Sequence, residues 1–157
     1  MKRSTDRILT THTGSLARPA GLLEMMAAKE AGQPYDRDAY AATVRSAVSD
    51  IGRRQAETGV GILCDGEQSK PGFFTYVSDR LTGFEPLDAP QRAGPWEGSR
   101  EVQSFPEYYE LYARGRSPNV SAPFGMVCTG PVTYRGHEQI KTDLDNLKAA
   151  LQGINPE

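Results

Sequence analysis

Three short apolar runs, each closed by a polar turn that carries glycine, alternate along this chain with segments of helical periodicity. That alternation constrains the fold more than any other feature. The runs are Ile8-Leu9-Thr10-Thr11-His12-Thr13, Val60-Gly61-Ile62-Leu63-Cys64-Asp65 and Phe124-Gly125-Met126-Val127-Cys128-Thr129. Each combines aliphatic and β-branched residues and reads as a strand, the second as a buried one. Between them, residues 20–31 carry Leu22, Leu23, Met26 and Ala27 at helical spacing and stop at Gly32. Asp36 is a suitable N-cap for a longer helix bearing Tyr40, Val44, Ala47, Val48 and Ile51, with Gly59 at its end. Residues 73–81 form a further helix after Pro71, and Ile140, Leu144, Leu147 and Leu151 mark a last one ending at Gly153.

The resulting order is β-αα-β-α-(long loop)-β-α. Strands alternating with helices predict an α/β fold with a parallel sheet and right-handed crossovers. The long loop covers about 83–123, where Pro86, Pro90, Pro95, Pro106, Pro118 and Pro123 break any regular pattern and only 107–114 has room for a helical turn or two. Gly 16 and Pro 11 together exceed the usual share of about 12%. A closed eight-fold barrel needs roughly 250 residues. At 157 residues the chain is one domain's worth and is expected as a small open α/β domain or the first part of something larger.

Composition removes several classes of function. Lys+Arg 18 against Asp+Glu 20 leaves a net charge of −2, with no basic field for a nucleic-acid backbone. No apolar run approaches the ~18–20 residues that span a bilayer, so no membrane partner is expected. The charged start, from Met1 to Arg7, is followed by no apolar core of a secretory signal. Two cysteines are too few for a disulfide scaffold, and a reduced, cytoplasmic protein is expected.

The residues able to carry chemistry cluster just past the strands. His12-Thr13-Gly14-Ser15, Asp65-Gly66-Glu67 and Thr129-Gly130-Pro131-Val132-Thr133 each follow a predicted strand, where parallel α/β sheets bind their ligands. The turn at Thr13, Gly14 and Ser15 has backbone donors for a carboxylate, and Glu67 has the opposite charge for an ammonium group. Together they describe a site for a small zwitterion such as an amino acid, with His12 as a further candidate for orienting a ligand or a carboxylate. Taken singly, each of these segments is also an ordinary turn sequence. Cys64 and Cys128 lie inside apolar runs, lack a close partner cysteine and read as small core hydrophobes, not zinc ligands. His137 reads as a surface residue. Phe73, Phe74, Tyr76 and Phe84 either pack a helix onto the sheet or line a pocket for a flat substrate. Arg18 and Lys70 follow the two turns and are either solvated or placed to attract an acidic tail. Neither a G-x-S-x-G elbow nor a phosphate-binding glycine loop is present.

Three stretches carry a family resemblance. The segment 10–19, Thr10-Thr11-His12-Thr13-Gly14-Ser15-Leu16-Ala17-Arg18-Pro19, resembles the opening of the catalytic barrel in the cobalamin-independent methionine synthase family. Cys64-Asp65-Gly66-Glu67-Gln68-Ser69-Lys70-Pro71-Gly72-Phe73, with Arg80-Leu81-Thr82-Gly83-Phe84-Glu85 after it, is similar to that family's second-strand region. Met126-Val127-Cys128-Thr129-Gly130-Pro131-Val132-Thr133 is similar to its third. The resemblance is nearest to the short, single-barrel relatives. It implies a partial (β/α)8 TIM barrel: the first three βα units, one incomplete barrel domain over 1–157, with the irregular loop before the third strand.

It also implies a function. In that family the thiol of homocysteine binds zinc as a thiolate and takes a methyl group from a methylated folate, the metal lowering the thiol's pKa. The turn matching Thr13, Gly14 and Ser15 holds the amino-acid carboxylate, and the glutamate matching Glu67 contacts the amino group. Related enzymes alkylate other thiols, including coenzyme M. The family's zinc ligands are a His-x-Cys pair, a glutamate and a distant cysteine from later strands, and no residue of this sequence matches them. The resemblance therefore implies a chain that supplies the amino-acid-binding part, with neither catalytic nor metal residues of its own. Alone it is expected to lack zinc and to be inactive: a fragment, a truncated product or one piece of a split enzyme. It would then pair with a missing barrel half or self-associate through an open sheet edge. A non-catalytic α/β binding module is the alternative.

Overall fold

The computed structural model describes residues 3–86, 98–114 and 126–154. The elements in order are α1 (Ala20–Glu30), α2 (Arg37–Glu57), α3 (Phe73–Arg80), β1 (Phe84–Pro86), α4 (Arg100–Ser104), α5 (Pro106–Arg114), β2 (Met126–Cys128) and α6 (His137–Ala150). The chain divides into two compact units, one of Met1–Lys70 with Gly136–Glu157 and one of Pro71–Arg135.

This arrangement corrects the expected fold. About half of the described residues are helical, and their one sheet has two short antiparallel strands. It is not a partial TIM barrel of three βα units. The first two predicted strands do not form. Residues 8–13 and 60–65 meet in a single parallel bridge, Thr11 with Ile62, supported by Ile62 N–H donating to the Thr10 carbonyl at 2.9 Å. A ladder needs that pairing repeated, and here a side chain interrupts it. The Gln55 amide donates to the Cys64 carbonyl at 2.8 Å, and Gln55 Oε1 accepts from the Cys64 N–H at 3.2 Å. The backbone groups that a neighbouring strand would use are thus taken by α2. Ile8, read as a strand residue, is 85% exposed. The third run does form a strand, β2, but its partner is β1 and the pairing is antiparallel, Phe84 with Cys128 and Pro86 with Met126. Phe124 and Gly125 of that run, and residues 87–97 and 115–123 of the long loop, lie outside the described residues.

In the first unit, helix formation follows local chemistry. Asp36 Oδ1 accepts from the backbone N–H groups of Asp38 and Ala39, each at 3.0 Å, and starts α2. Gly59, at φ +82°, lets the chain leave it. Val44, Ala47 and Val48 are buried on one face of α2, as are Leu22 and Met26 of α1. α2 packs against both α1 and α6. Burying the valine, leucine and methionine side chains contributes about 1.5–3 kcal/mol each. The apolar stripe of α6 is less committed than its spacing predicts, since Ile140 and Leu144 remain partly exposed. Ser69 ties the segment after α2 to α6 by donating to Asp143 Oδ1 at 2.8 Å.

In the second unit, Thr129 N–H donates to the Gly83 carbonyl at 2.8 Å and Thr82 N–H to the Thr133 carbonyl at 2.9 Å, extending the β1–β2 pairing outward. Gly83 sits at φ +82°, where a Cβ would lie 2.6 Å from the Gly130 carbonyl oxygen. The close backbone approach therefore requires glycine. α4, which the sequence does not announce, is capped by Ser99 Oγ accepting from Val102 N–H at 3.3 Å. Among the described residues, no helix is long and apolar enough to cross a membrane.

Candidate functional site

Two loops of the first unit meet to form the site. One precedes α1 and carries His12, Thr13, Gly14 and Ser15. The other follows the apolar run that ends at Cys64. Its turn is built on Asp65, Gly66, Glu67 and Gln68, with Gln68 N–H donating to the Asp65 carbonyl at 3.3 Å. Both central residues are left-handed, Gly66 at φ +60° and Glu67 at φ +56°, the pattern of a type I′ turn. Gly66 needs its missing Cβ twice over, for this φ and because Leu16 lies 3.1 Å from where a Cβ would stand. Glu67 is the only non-glycine residue with positive φ among the described residues. Holding a glutamate there costs on the order of 1 kcal/mol or more, and such outliers concentrate where function demands a side-chain direction.

That direction is toward Ser15. The Ser15 hydroxyl donates to Glu67 Oε2 at 2.6 Å, a charge-assisted contact. Glu67 Oε1 accepts no hydrogen bond among the described residues. The carboxylate is half-buried, and Asp65 steadies its backbone by accepting from Glu67 N–H at 3.0 Å. Asp65 also forms an ion pair with Lys70, both side chains being largely buried. On the other loop, the N–H groups of Thr13, Gly14 and Ser15 make no hydrogen bond among the described residues. The first N–H in this stretch to find a partner is that of Leu16, which donates to the Gly66 carbonyl at 2.9 Å. The two loops, joined side by side, thus carry one carboxylate oxygen and three backbone donors that have no hydrogen bond among the described residues.

Of the sequence-predicted residues, Ser15 and Glu67 are in direct contact, and Thr13 and Gly14 continue the Ser15 loop, Gly14 at φ +93°. His12 is part-buried, its Nε2 shielded from solvent and without a partner among the described residues. Its carbonyl lies 3.8 Å from Cys64 Sγ. The third turn, Thr129 to Thr133, belongs to the other unit, and no parallel sheet exists among the described residues to supply the common rim expected for all three clusters. Arg18 and Lys70, read as solvated or as attractors of an acidic tail, are instead turned to internal partners. Burial lowers the Arg18 guanidinium from its ordinary value, while the Glu67 carboxylate and the Tyr40 hydroxyl raise it. Sequence reasoning missed Gln55 and Gln68, two buried amides that brace the site. Gln68, 1% exposed, donates to the Leu16 and Ala17 carbonyls at 3.2 and 3.3 Å. A polar residue within an apolar helical face was the only available signal for Gln55.

No group of three or more His, Cys, Asp or Glu side chains comes together among the described residues to hold a metal ion. Cys64 Sγ donates to Gln55 Oε1 at 3.4 Å, and Cys128, in the other unit, is exposed, with its Sγ donating to the Gly130 carbonyl at 3.5 Å. No protein-family model matches this chain, and no curated protein matches it.

Proposed function

We propose that this chain binds the amino-acid end of a small thiol amino acid, homocysteine, and so supplies the amino-acid-binding part of a methionine-synthase-like methyl transfer from a methylated folate. The observation that carries this reading is the strained, left-handed Glu67. Its carboxylate, oriented by Ser15, keeps Oε1 open for an ammonium group. The backbone N–H groups of Thr13, Gly14 and Ser15 suit the carboxylate of the same molecule. A zwitterion would satisfy both halves and leave the local charge balanced, because Arg18 and Lys70 already offset Asp65 and Glu67. The resemblance of segments 10–19 and 64–73 to the methionine synthase family supports homocysteine as the ligand. The role proposed for this chain is to bind the amino acid.

Calorimetric titration of the reduced chain with L-homocysteine tests the proposal. Glu67→Gln keeps the size of the side chain and removes its charge. It should weaken binding by about tenfold to a hundredfold, the value of a hydrogen bond to a charged group. Coenzyme M, a thiol without an ammonium group, should bind the two proteins alike. Equal homocysteine affinity in Glu67→Gln and the parent chain would overturn the reading.

A further inference from the structure

Arg18 stands three residues after Ser15 and reaches the second loop of the site. Its Nη2 donates to the Lys70 carbonyl at 2.6 Å, to the Glu67 carbonyl at 2.9 Å and, more weakly, to Ser15 Oγ at 3.4 Å. The Lys70 N–H donates to the same Glu67 carbonyl at 3.1 Å, so that oxygen is held from two sides. Other bonds join the two loops. The Gln68 amide holds the Leu16 and Ala17 carbonyls, and Leu16 N–H holds Gly66. Among the described residues, only Arg18 touches both the Ser15 hydroxyl and the backbone of Glu67.

Two consequences follow from the chemistry of the guanidinium. It is a donor only, with no acceptor atom. Where it approaches Ser15 Oγ, the serine oxygen must accept, and the single hydroxyl proton is left for Glu67 Oε2. The Glu67 carboxylate, itself an acceptor only, takes that proton, and the approach of Nη2 to Ser15 Oγ places positive charge beside the bond, where linked bonds of this kind reinforce one another. Glu67 also has a strained backbone, and its easiest relief is to swing the peptide out of the left-handed region. That motion would carry the Glu67 carbonyl away from Nη2. One guanidinium nitrogen, Nη2, bonds the carbonyls of Glu67 and Lys70 together and so fastens the two ends of that turn to each other.

We infer that Arg18 is a positioning residue for the Ser15–Glu67 pair. It holds the Glu67 peptide in its left-handed conformation, and with it the carboxylate that Ser15 orients, without itself touching the ligand. This role rests on the reading of Glu67 as the ammonium-binding group.

The test is a double-mutant cycle on the full chain, read by calorimetry with L-homocysteine, together with amide hydrogen exchange at Lys70 and Leu16. Arg18→Met keeps the aliphatic stem. It should weaken homocysteine binding about five- to thirtyfold, yet change affinity less than twofold when Glu67 is already Gln, because the group through which it acts is gone. The Lys70 amide should exchange at least about tenfold faster in Arg18→Met, with Arg18→Lys intermediate in both readouts. Losses that multiply in the double variant would show Arg18 gripping the ligand directly and overturn the positioning role. Full affinity in Arg18→Met beside a weakened Glu67→Gln would sink this inference while sparing the proposed function. If the parent chain binds no homocysteine, the proposed function fails. Exchange at Lys70 then decides the latch by itself, unchanged rates overturning it. Should Arg18→Met fail to fold by circular dichroism, the same cycle with Arg18→Lys gives the decision.

Discussion

Ser15 and Glu67, 52 residues apart in the chain, are joined by a 2.6 Å hydrogen bond from hydroxyl to carboxylate. Neither residue is brought there by a shared sheet. Each sits on a loop whose backbone is closed by its own contacts, Leu16 N–H on the Gly66 carbonyl from one side and the Gln68 amide on the Leu16 and Ala17 carbonyls from the other. The pair is therefore a product of loop-to-loop packing, and its geometry is sensitive to single substitutions in either loop.

Removing the Ser15 hydroxyl is the smallest such change. Ser15→Ala leaves the backbone donors of the turn in place and frees both Glu67 oxygens. One hydrogen bond of about 0.5–1.5 kcal/mol is lost, so homocysteine should bind about three- to tenfold more weakly by calorimetry. Tighter binding in Ser15→Ala would mean that the serine competes with the ligand for the carboxylate and does not orient it.

Gln55 is 5% exposed and bridges α2 to the backbone of Cys64 in both directions. It also donates to the Ile51 carbonyl at 3.1 Å. Gln55→Ala strands the N–H and the carbonyl of Cys64 in a part-buried setting and opens a small cavity. A loss of about 2–4 kcal/mol is expected in urea unfolding. A midpoint within experimental error of the parent would show that water takes over both groups without cost.

Tyr40 gives a pH signature. Burial first, then the neighbouring Tyr35, Glu30 and Asp143, pushes its hydroxyl up to about 12 from 10.0, against an opposing pull from Arg18. The folded state thus favours the protonated phenol more than the unfolded state does. The associated stability is complete below about pH 10 and is lost as pH rises toward about 12. Because the ring is only part-buried, solvent screening holds the effect to about 1–2 kcal/mol. Urea midpoints measured across that window should fall more steeply for the parent than for Tyr40→Phe. Parallel slopes would refute the assignment.

Gly83 tests the second unit separately. At φ +82°, with the Gly130 and Pro131 carbonyl oxygens 2.6 and 2.7 Å from where a Cβ would stand, alanine has neither the conformation nor the room. Gly83→Ala should destabilise the local pairing by about 1–3 kcal/mol. Faster amide exchange at Thr82 and Thr129, whose N–H groups bond to the Thr133 and Gly83 carbonyls, would report it. Unaltered protection there would contradict the close approach.

What the sequence determined by itself was local. The Asp36 cap, the buried stripe of Val44, Ala47 and Val48, and the left-handed Gly32 and Gly59 at the helix ends are all written within a few residues of where they act. Helical hydrogen bonds close between near neighbours, so spacing and caps suffice to announce them. The chemical types at Ser15 and Glu67 were likewise visible, as a donor-rich turn and an acid after an apolar run. Tertiary structure decided the rest. A β-strand exists only if a distant segment supplies its ladder, and no periodicity names that partner. Residues 60–65 have the composition of a buried strand, but the Gln55 side chain takes the backbone groups of Cys64. Met126–Cys128 did become a strand, yet Phe84–Pro86 turned it antiparallel. The grip of Arg18 on the carbonyls of Glu67 and Lys70 was equally illegible, because a charged side chain looks solvated until folding sets carbonyl oxygens around it.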